Sequence, residues 1–294
     1  MAIEQRTLYI VSVPIGNLED MTIRASRILG AVDVIACEDT RNTSKLLSLL
    51  GIRAPKLIST HDHNEARRIP EILRRLEAGA SVALVSDAGT PTISDPGYTV
   101  IKAVLEAGLD VVPIPGVCAA IAALSVSGLP TDRFQFVGFL PHKAGALRRT
   151  YEGVARASET LIFYVGPHHL VRALNIGAEV LGADRRAVIS REITKKFEEN
   201  RRGTLGELVR EPGTVRGEIV LVIEGHRGGP EVALEQVPNL VESLLSKGLP
   251  TAKAAKELSK RTGIERSEAY KMIIAARDSK TAASEESELD SDGG

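Results

Sequence analysis

Two polar clusters in the first quarter of the chain carry residue types that can move protons and bind anions. Glu38, Asp39 and Arg41 follow one strand candidate, and His61 and Asp62 follow another. A carboxylate or an imidazole in such a position can act as a general base, and a guanidinium can anchor a phosphate. Helix capping is the alternative role for Asp39 and Asp62. Because both clusters follow strand candidates, we expect them to share one rim of the fold.

Metal binding is a third interpretation of these clusters, since His61 and His63 are spaced as a possible ligand pair. The sequence offers no further ligands at a recognisable spacing. The two cysteines, Cys37 and Cys118, form neither a CxxC nor a Cys/His pattern. We therefore expect no metal site and a reducing compartment.

Glycine and proline recur where strand candidates give way to helix candidates, in the loops 13–17, 87–91 and 113–118. Glycine lets backbone amides approach a ligand closely, and proline fixes the shape of the loop. Such turns also need glycine and proline for purely structural reasons, but three of them at one sheet edge favour a cofactor cleft. None matches GxGxxG or GxxxxGK[ST], so neither a dinucleotide fold nor a P-loop is supported.

Alternating elements must position these loops. In the first half, apolar runs of strand length at 8–13, 32–37, 81–85 and 109–114 alternate with helical periodicity, and Asp20 is predicted to cap the first helix. Such alternation predicts a parallel α/β sheet that binds ligands at the carboxyl ends of its strands. Four later strand candidates, at 134–140, 160–165, 187–191 and 217–224, predict a second α/β unit.

Three short helical patterns occupy residues 238 to 277, beyond a Gly/Pro-rich break at 225–230. Residues 247–277 contain eight Lys or Arg and three Glu, and the pattern resembles a helix-turn-helix. A basic helical pair would attract a phosphate backbone, although a solvated amphipathic face is the alternative. We therefore predict domains at 1–118, 119–230 and 231–278, followed by a disordered acidic tail at 279–294.

The overall composition is that of an ordinary soluble protein. The 294 residues include 37 Lys or Arg and 38 Asp or Glu, with 43% hydrophobic residues. Disordered, collagen-like and disulfide-rich classes are excluded, and no apolar run reaches the length of a membrane helix. We expect a cytoplasmic protein. With 3% aromatic residues, any recognition of RNA would rest mainly on shape and charge.

Eight short motifs occur along the chain in an order that is unlikely to arise by chance. They resemble the bacterial small-subunit ribosomal RNA methyltransferase I family, within the tetrapyrrole-methylase superfamily. The resemblance covers roughly residues 7–226. The motifs are PIGNL at 14–18, EDTR at 38–41, HDHNE at 61–65, SDAGTP with DPG at 86–97, PGVCAA at 115–120, GLPTDRF at 128–134, GFLP at 138–141 and GE at 217–218.

The resemblance implies a two-domain class III α/β methyltransferase with a small C-terminal helical extension. Such an enzyme would be a homodimer that uses S-adenosyl-L-methionine to methylate a ribose 2′-hydroxyl. Its substrate would be a decoding-region cytidine, cytidine 1402, in the 16S rRNA of the 30S subunit. The resemblance places cofactor binding on Pro14, Ile15, Asp87, Ala88, Gly89, Thr90, Cys118, Ala119, Phe163, Tyr164 and Glu218.

The family pattern is not matched everywhere. Val165-Gly166 stands where relatives usually carry a glutamate and a small polar residue, and His169 and Val117 also depart from the pattern. For methyl transfer to a ribose, we hypothesise that the base is one of Glu38, Asp39, His61 and Asp62, with Arg41 holding a phosphate.

Two other functions stay open. A tetrapyrrole methylase is disfavoured by the basic helical trio and by the Glu38 and His61 motifs. A non-catalytic, RNA-binding ribosome-assembly factor would share the fold but fail to bind S-adenosylmethionine.

Overall fold

The computed structural model describes residues 3–213, 216–227, 237–262 and 264–289. The chain forms two compact units. The first comprises residues 1–155 and 159–224, and the second comprises residues 156–158 and 225–294. Both predicted α/β domains therefore lie in the first unit, which contains two five-stranded sheets.

The first sheet is fully parallel, with strand order β3-β2-β4-β1-β5. Its strands are short and apolar, and the central ones are buried on both faces, as crossover helices require. Leu8 of β1 pairs with Val82 of β4 on one side and with Val111 of β5 on the other. The strands are β1 (Thr7–Val11), β2 (Val34–Cys37), β3 (Lys56–Ser59), β4 (Val82–Val85) and β5 (Asp110–Ile114).

Helices cover both faces of this sheet. Residues of α1 and α2 pack into one apolar cluster, and residues of α3 and α4 pack into another on the opposite face. The helices are α1 (Ile23–Leu29), α2 (Thr40–Leu49), α3 (Glu65–Glu77) and α4 (Tyr98–Glu106). The first sheet is therefore a doubly wound layer whose strand ends face the loops that carry the polar and glycine motifs.

The second sheet is mixed, with order β6-β7-β10-β8-β9, and only its β6–β7 pair is parallel. Small residues of α5 let that helix pack closely on β7, β8 and β10. The strands are β6 (Phe134–Phe139), β7 (Thr160–Val165), β8 (Arg186–Arg191), β9 (Glu199–Thr204) and β10 (Ile219–Ile223). The helices are α5 (Ala119–Ser127), α6 (Ala144–Val154), α7 (Leu170–Leu181) and α8 (Leu205–Arg210).

The cap of the first helix differs from the prediction. Asp20 ends a short 3-10 turn, and Thr22 caps α1 by accepting a 3.0 Å hydrogen bond from the Ala25 amide. The side chain of Asp20 instead accepts a hydrogen bond from the Thr194 hydroxyl, which belongs to a loop after the second sheet's β8. The Asp20 carboxylate therefore makes a tertiary contact rather than the helix cap that the local spacing predicts.

The second unit contains three helices, α9 (Val237–Ser246), α10 (Thr251–Thr262) and α11 (Arg266–Leu289). Buried leucine, alanine and isoleucine side chains from all three form its core. Helix α11 extends to Leu289, so it includes much of the segment predicted to be disordered. Alanine and glutamate, which recur in this segment, have high helix propensity. Residues 290–294 lie outside the described residues.

Candidate functional site

A cavity of about 320 Å³ lies between the carboxyl-end loops of the first sheet and the strands β7 and β10. Its walls are mainly apolar, with a few polar groups that converge on the interior, as in small-molecule sites. The lining residues are Ile15, Ala88, Gly89, Thr90, Ile93, Ser94, Asp95, Cys118, Ala119, Phe139, Tyr164, Val165, Gly166, Pro167, Ile193, Glu218, Ile219 and Val220.

Hydrogen bonds tie the three glycine-containing loops to one another. Val13 and Gly89 exchange two backbone hydrogen bonds of 2.9 and 3.0 Å. The Thr90 hydroxyl donates to the Val117 carbonyl at 2.9 Å and lies 2.9 Å from the Ser12 hydroxyl. The three loops therefore converge, as the sequence predicts, and form a single main-chain wall of the cavity.

Aromatic rings form the facing wall. Tyr164 contacts Phe136 and Phe139 edge-to-face, with ring centroids 5.0 and 5.2 Å apart. Phe139 is 64% exposed although it lines the cavity. Burial raises the pKa of the Tyr164 hydroxyl, which also hydrogen-bonds with the Cys118 side chain and with the Ala120 amide. An exposed aromatic face at a cavity mouth is suited to stacking against a planar ligand.

The loop between β8 and β9 crosses the cavity edge. Lys195 donates to Glu192 and to Glu218, each at 3.0 Å, and Ile193 lines the cavity beside them. The carbon chain of Lys195 lies directly over Gly16 in the first glycine loop. These contacts join the two sheets at the edge of the cavity.

Four carboxylates surround one side of the cavity, and one of them lines it. Burial raises the pKa of Asp95 to about 6, and Glu38, Asp87 and Asp62 raise it further by charge repulsion, whereas a hydrogen bond with Ser86 opposes the shift. Burial also raises the pKa of Glu38, with Asp87 as the next contributor. Such an arrangement favours a cationic ligand, because a positive charge would relieve the mutual repulsion.

Comparison with known proteins identifies the family. The model of the tetrapyrrole (corrin/porphyrin) methylases matches residues 7–209. A ribosomal RNA small subunit methyltransferase I of Escherichia coli O157:H7 is 44% identical over 92% of this chain and 95% of its own length. The same-named protein of Synechocystis is 44% identical over 91% and 97%. The chain belongs to the ribosomal RNA small subunit methyltransferase I family.

Solved structures show the same fold at lower identity. Diphthine synthase aligns with a TM-score of 0.57 and 15% identity over 74% of this methyltransferase and 90% of its own chain. Uroporphyrin-III C-methyltransferase of Thermus thermophilus, in complex with S-adenyl homocysteine, aligns with a TM-score of 0.52 and 20% identity over 74% and 97%. The fold is that of the class III methyltransferases, as predicted.

Most of the residues predicted to bind a cofactor line the cavity of this methyltransferase. These are Ile15, Ala88, Gly89, Thr90, Cys118, Ala119, Tyr164 and Glu218. Three do not: Pro14 is buried within the first loop, Asp87 accepts hydrogen bonds from the Asp39 amide and from Asn42, and Phe163 packs on Tyr151 in the core. Phe163 points away because successive residues of a strand face opposite sides of the sheet.

None of the five predicted catalytic residues lines the cavity. Asp39 caps α2 and forms an ion pair with Arg41, whose side chain is 89% exposed. Hydrogen bonds from Arg41 lower the pKa of Asp39 to about 2. A carboxylate held in this way is a weak base, so the capping alternative describes Asp39 better than the catalytic one.

The remaining predicted residues lie at the rim. Nε2 of His61 is 2.9 Å from Nδ2 of Asn64, and the His61 amide donates to the same side chain. Asp62 is exposed and close enough to Glu38 and Asp95 to raise the pKa of both. Within the described residues, the structure contains no group of three or more side chains suited to hold a metal ion.

Several lining residues were not predicted from the sequence. Asp95 is the residue among them whose side chain can gain or lose a proton. It belongs to the DPG motif, but nothing in the sequence around that motif assigns Asp95 a role. Val165 and Gly166, which depart from the family pattern, also line the cavity. The others are Ile93, Ser94, Phe139, Pro167, Ile193, Ile219 and Val220.

Proposed function

We propose that this methyltransferase transfers the methyl group of S-adenosyl-L-methionine to the ribose 2′-hydroxyl of cytidine 1402 in 16S rRNA. The observation that carries the proposal is the similarity, at above 40% identity over nine-tenths of the chain, to proteins named ribosomal RNA small subunit methyltransferase I. The decoding region belongs to the 30S subunit, which we propose as the substrate particle in the cytoplasm.

The cavity fits S-adenosylmethionine in size and in chemistry. Its volume of about 320 Å³ is at the lower end of small-molecule sites, which run from about 300 to 1,000 Å³. Phe139 and Tyr164 offer aromatic contacts for adenine, and the surrounding carboxylates favour a positive charge. When bound, S-adenosylmethionine supplies a methyl carbon on a sulfonium sulfur, which is a neutral thioether after the transfer.

The cavity walls would position this donor through main-chain atoms. Gly89 has φ of +73°, and a Cβ there would lie 3.4 Å from Cγ2 of Ile15, so the backbone borders the cavity closely. The Gly89 peptide is bonded to Val13, which fixes this loop, and the neighbouring backbone of Ala88 and Ala119 would offer polar groups that need no reorganisation when a ligand binds. The chemistry then depends on alignment of the acceptor oxygen with the methyl carbon and on removal of one proton.

The second unit supplies a surface suited to RNA. Lys253, Lys256, Arg266 and Lys271 are exposed on α10 and α11. Tyr270 is 43% exposed on the same helix as Arg266 and Lys271 and provides a ring on which a base can stack. We propose that this surface binds the phosphate backbone of 16S rRNA.

We also propose that the enzyme acts as a homodimer. Several large apolar side chains of the first unit are exposed, including Ile23 and Tyr98, and a subunit contact that covered any of them would remove apolar area from water. Light scattering of the full chain at several concentrations tests this, and a monomer mass throughout would contradict it.

Transfer of a labelled methyl group tests the reaction. The enzyme is incubated with labelled S-adenosylmethionine in three parallel reactions. One contains 30S subunits, one contains naked 16S rRNA and one contains uroporphyrinogen. We expect label in the 30S sample at a 2′-oxygen of the decoding region. Label only in uroporphyrinogen would replace the proposal with tetrapyrrole methylation. Cofactor binding without label in any sample would contradict the proposed substrates, and absence of cofactor binding would favour a non-catalytic assembly factor.

A further inference from the structure

Asp95 is presented to the cavity by an unusual loop. Thr92 and Ser94 adopt φ of +73° and +64°, a region that residues other than glycine rarely occupy. Gly97 has φ of +125°, and a Cβ there would lie 2.7 Å from Cδ2 of Leu84. The surrounding structure therefore fixes the backbone on both sides of Asp95. Strained backbone of this kind is concentrated at functional sites.

The cavity offers few other groups that can accept a proton. Among the described residues that line it, the titratable side chains are Asp95, Cys118, Tyr164 and Glu218. Burial raises the pKa of Tyr164, so its hydroxyl stays protonated well above neutral pH, and it hydrogen-bonds with Cys118. Glu218 is 73% exposed at its side chain and paired with Lys195. Asp95 is thus the lining carboxylate that has no cationic partner among the interactions described.

Resting on the proposed function, we propose that Asp95 is the base that removes the proton from the ribose 2′-hydroxyl. The 2′-oxygen forms a bond to the methyl carbon, and the carbon–sulfur bond breaks with its electron pair on sulfur. The hydroxyl proton passes to the Asp95 carboxylate, which then releases it to solvent. No oxidant, metal or further reactant is needed for this balance.

The environment of Asp95 suits this role. Its pKa of about 6 leaves the carboxylate charged at neutral pH yet more basic than an ordinary aspartate. Glu38, Asp62 and Asp87 approach from loops of the first sheet, and Tyr164 faces it from the second. In this arrangement Glu38 is a positioning residue, since its charge keeps the proton affinity of Asp95 high.

The first test compares Asp95→Asn with the wild-type enzyme. We expect kcat to fall roughly 100-fold to 10,000-fold, the usual effect of a lost general base. Calorimetric affinity for 30S subunits should change less than about threefold, and affinity for S-adenosylmethionine, which loses one attracting charge, should fall much less than kcat. Asp95→Glu, which keeps the carboxylate, should restore part of kcat. Wild-type kcat in a folded Asp95→Asn enzyme would overturn the inference.

The second test uses Glu38→Gln and does not depend on a variant of Asp95. Wild-type kcat/KM, which reports the free enzyme, should rise as the pH increases through about 6 and then level off. In Glu38→Gln the rise should move to lower pH, because one repelling charge is lost, and the plateau should fall less than it does in Asp95→Asn. Loss of kcat at every pH in Glu38→Gln would assign the base to Glu38 and overturn the proposal.

Carboxyl ¹³C NMR of the unliganded protein gives a readout without turnover. A carboxyl signal that titrates near pH 6 should be absent from Asp95→Asn and shifted to lower pH in Glu38→Gln. Asp95 titration below pH 4 in the wild-type protein would overturn the inference. If the wild-type enzyme methylates no ribose, the proposed function fails and this inference fails with it. Unimpaired ribose methylation by Asp95→Asn would remove only the inference.

Discussion

The carbon chain of Lys195 lies across Gly16. A Cβ built on Gly16 would be 2.5 Å from Cε of Lys195, which is closer than non-bonded carbon atoms approach one another. Gly16 also has φ of +145°. Lys195 belongs to the second sheet's β8–β9 loop and Gly16 to the first glycine loop. Glycine at position 16 therefore suits both the backbone conformation and the space beside Lys195, and a larger residue would displace the Lys195 side chain.

Gly16→Ala should separate the two sheets at the edge of the cavity. Because a displaced Lys195 would disturb the edge of the cavity, we expect the affinity for S-adenosylmethionine, measured by calorimetry, to fall about tenfold. A tenfold change in Kd corresponds to about 1.4 kcal/mol of binding free energy. Gly51→Ala is the matched control, since Gly51 also has positive φ but nothing within 4 Å of a Cβ. It should lower stability without affecting the affinity. Equal affinities for Gly16→Ala and the wild-type enzyme would contradict a role of this contact in binding.

Phe139→Ala should weaken cofactor binding. Stacking of a base on an aromatic ring contributes roughly 1–3 kcal/mol, so we expect the Kd for S-adenosylmethionine to rise about 5-fold to 150-fold. Phe134→Ala on the same strand removes an exposed ring that does not line the cavity, and its Kd should match the wild-type value. If both variants bind equally well, Phe139 does not contact the cofactor.

The two cysteines should differ in reactivity. Cys37 is fully buried and burial raises its pKa to about 11, whereas Cys118 lines the cavity. A thiol reagent should therefore modify Cys118 first, and S-adenosylmethionine should protect it, while Cys37 reacts only after unfolding. Mass spectrometry of the partly modified protein measures both sites. Rapid modification of Cys37 in the folded protein would contradict the packing of β2.

Asp39 should stabilise the fold without taking part in the reaction. Asp39→Asn keeps a capping side chain but loses the ion pair with Arg41, so we expect kcat within about threefold of wild type, since a general base would cost at least about 100-fold.

The contribution of Asp39 to the stability of the fold should depend on pH. The folded-state pKa of Asp39 is depressed to about 2, so its contribution is present above the unfolded pKa of about 4 and is lost as the pH falls toward 2. The difference in Tm between wild type and Asp39→Asn should shrink over that interval. A constant difference from pH 7 to pH 2 would show that the ion pair is not its source.

Charge reversal on α10 should weaken RNA binding through electrostatics. We expect Lys253→Glu with Lys256→Glu to reduce the dependence of 30S affinity on salt by about 1–2 units of log–log slope. Lys56→Glu, on an exposed lysine that begins β3, is the control and should leave the slope unchanged. An unchanged slope in the double variant would exclude α10 from the RNA surface.

Much of the first sheet could be predicted from the sequence because its strands are buried on both faces. Continuous apolar runs identified β1, β2, β4 and β5 to within two residues at each end. Strand β9 was not predicted, since Glu199–Thr204 is polar throughout. It becomes a strand by pairing with β8 at the edge of the second sheet, and that pairing is not encoded in local hydrophobicity.

The candidate site was predictable to the extent that topology determines it. Parallel strands bring their carboxyl ends together, so the convergence of the three glycine loops followed from the alternation of strands and helices. Asp95 could not be found in this way. Its pKa depends on burial and on Glu38, Asp62 and Asp87, which come from three separate segments. No sequence pattern shows that these groups meet.

The hydrogen-bonded wall formed by Val13, Gly89 and Thr90 has a consequence for how this fold diversifies. Hydrogen bonds between peptide groups, which every amino acid carries, hold much of its shape, so side-chain substitutions elsewhere leave those bonds intact. Rim side chains outside that wall, such as His61, can change without that restriction. We therefore expect substitutions of rim residues to change the methyl acceptor during evolution. The loops that bind the methyl donor should stay almost the same among enzymes with otherwise unrelated substrates.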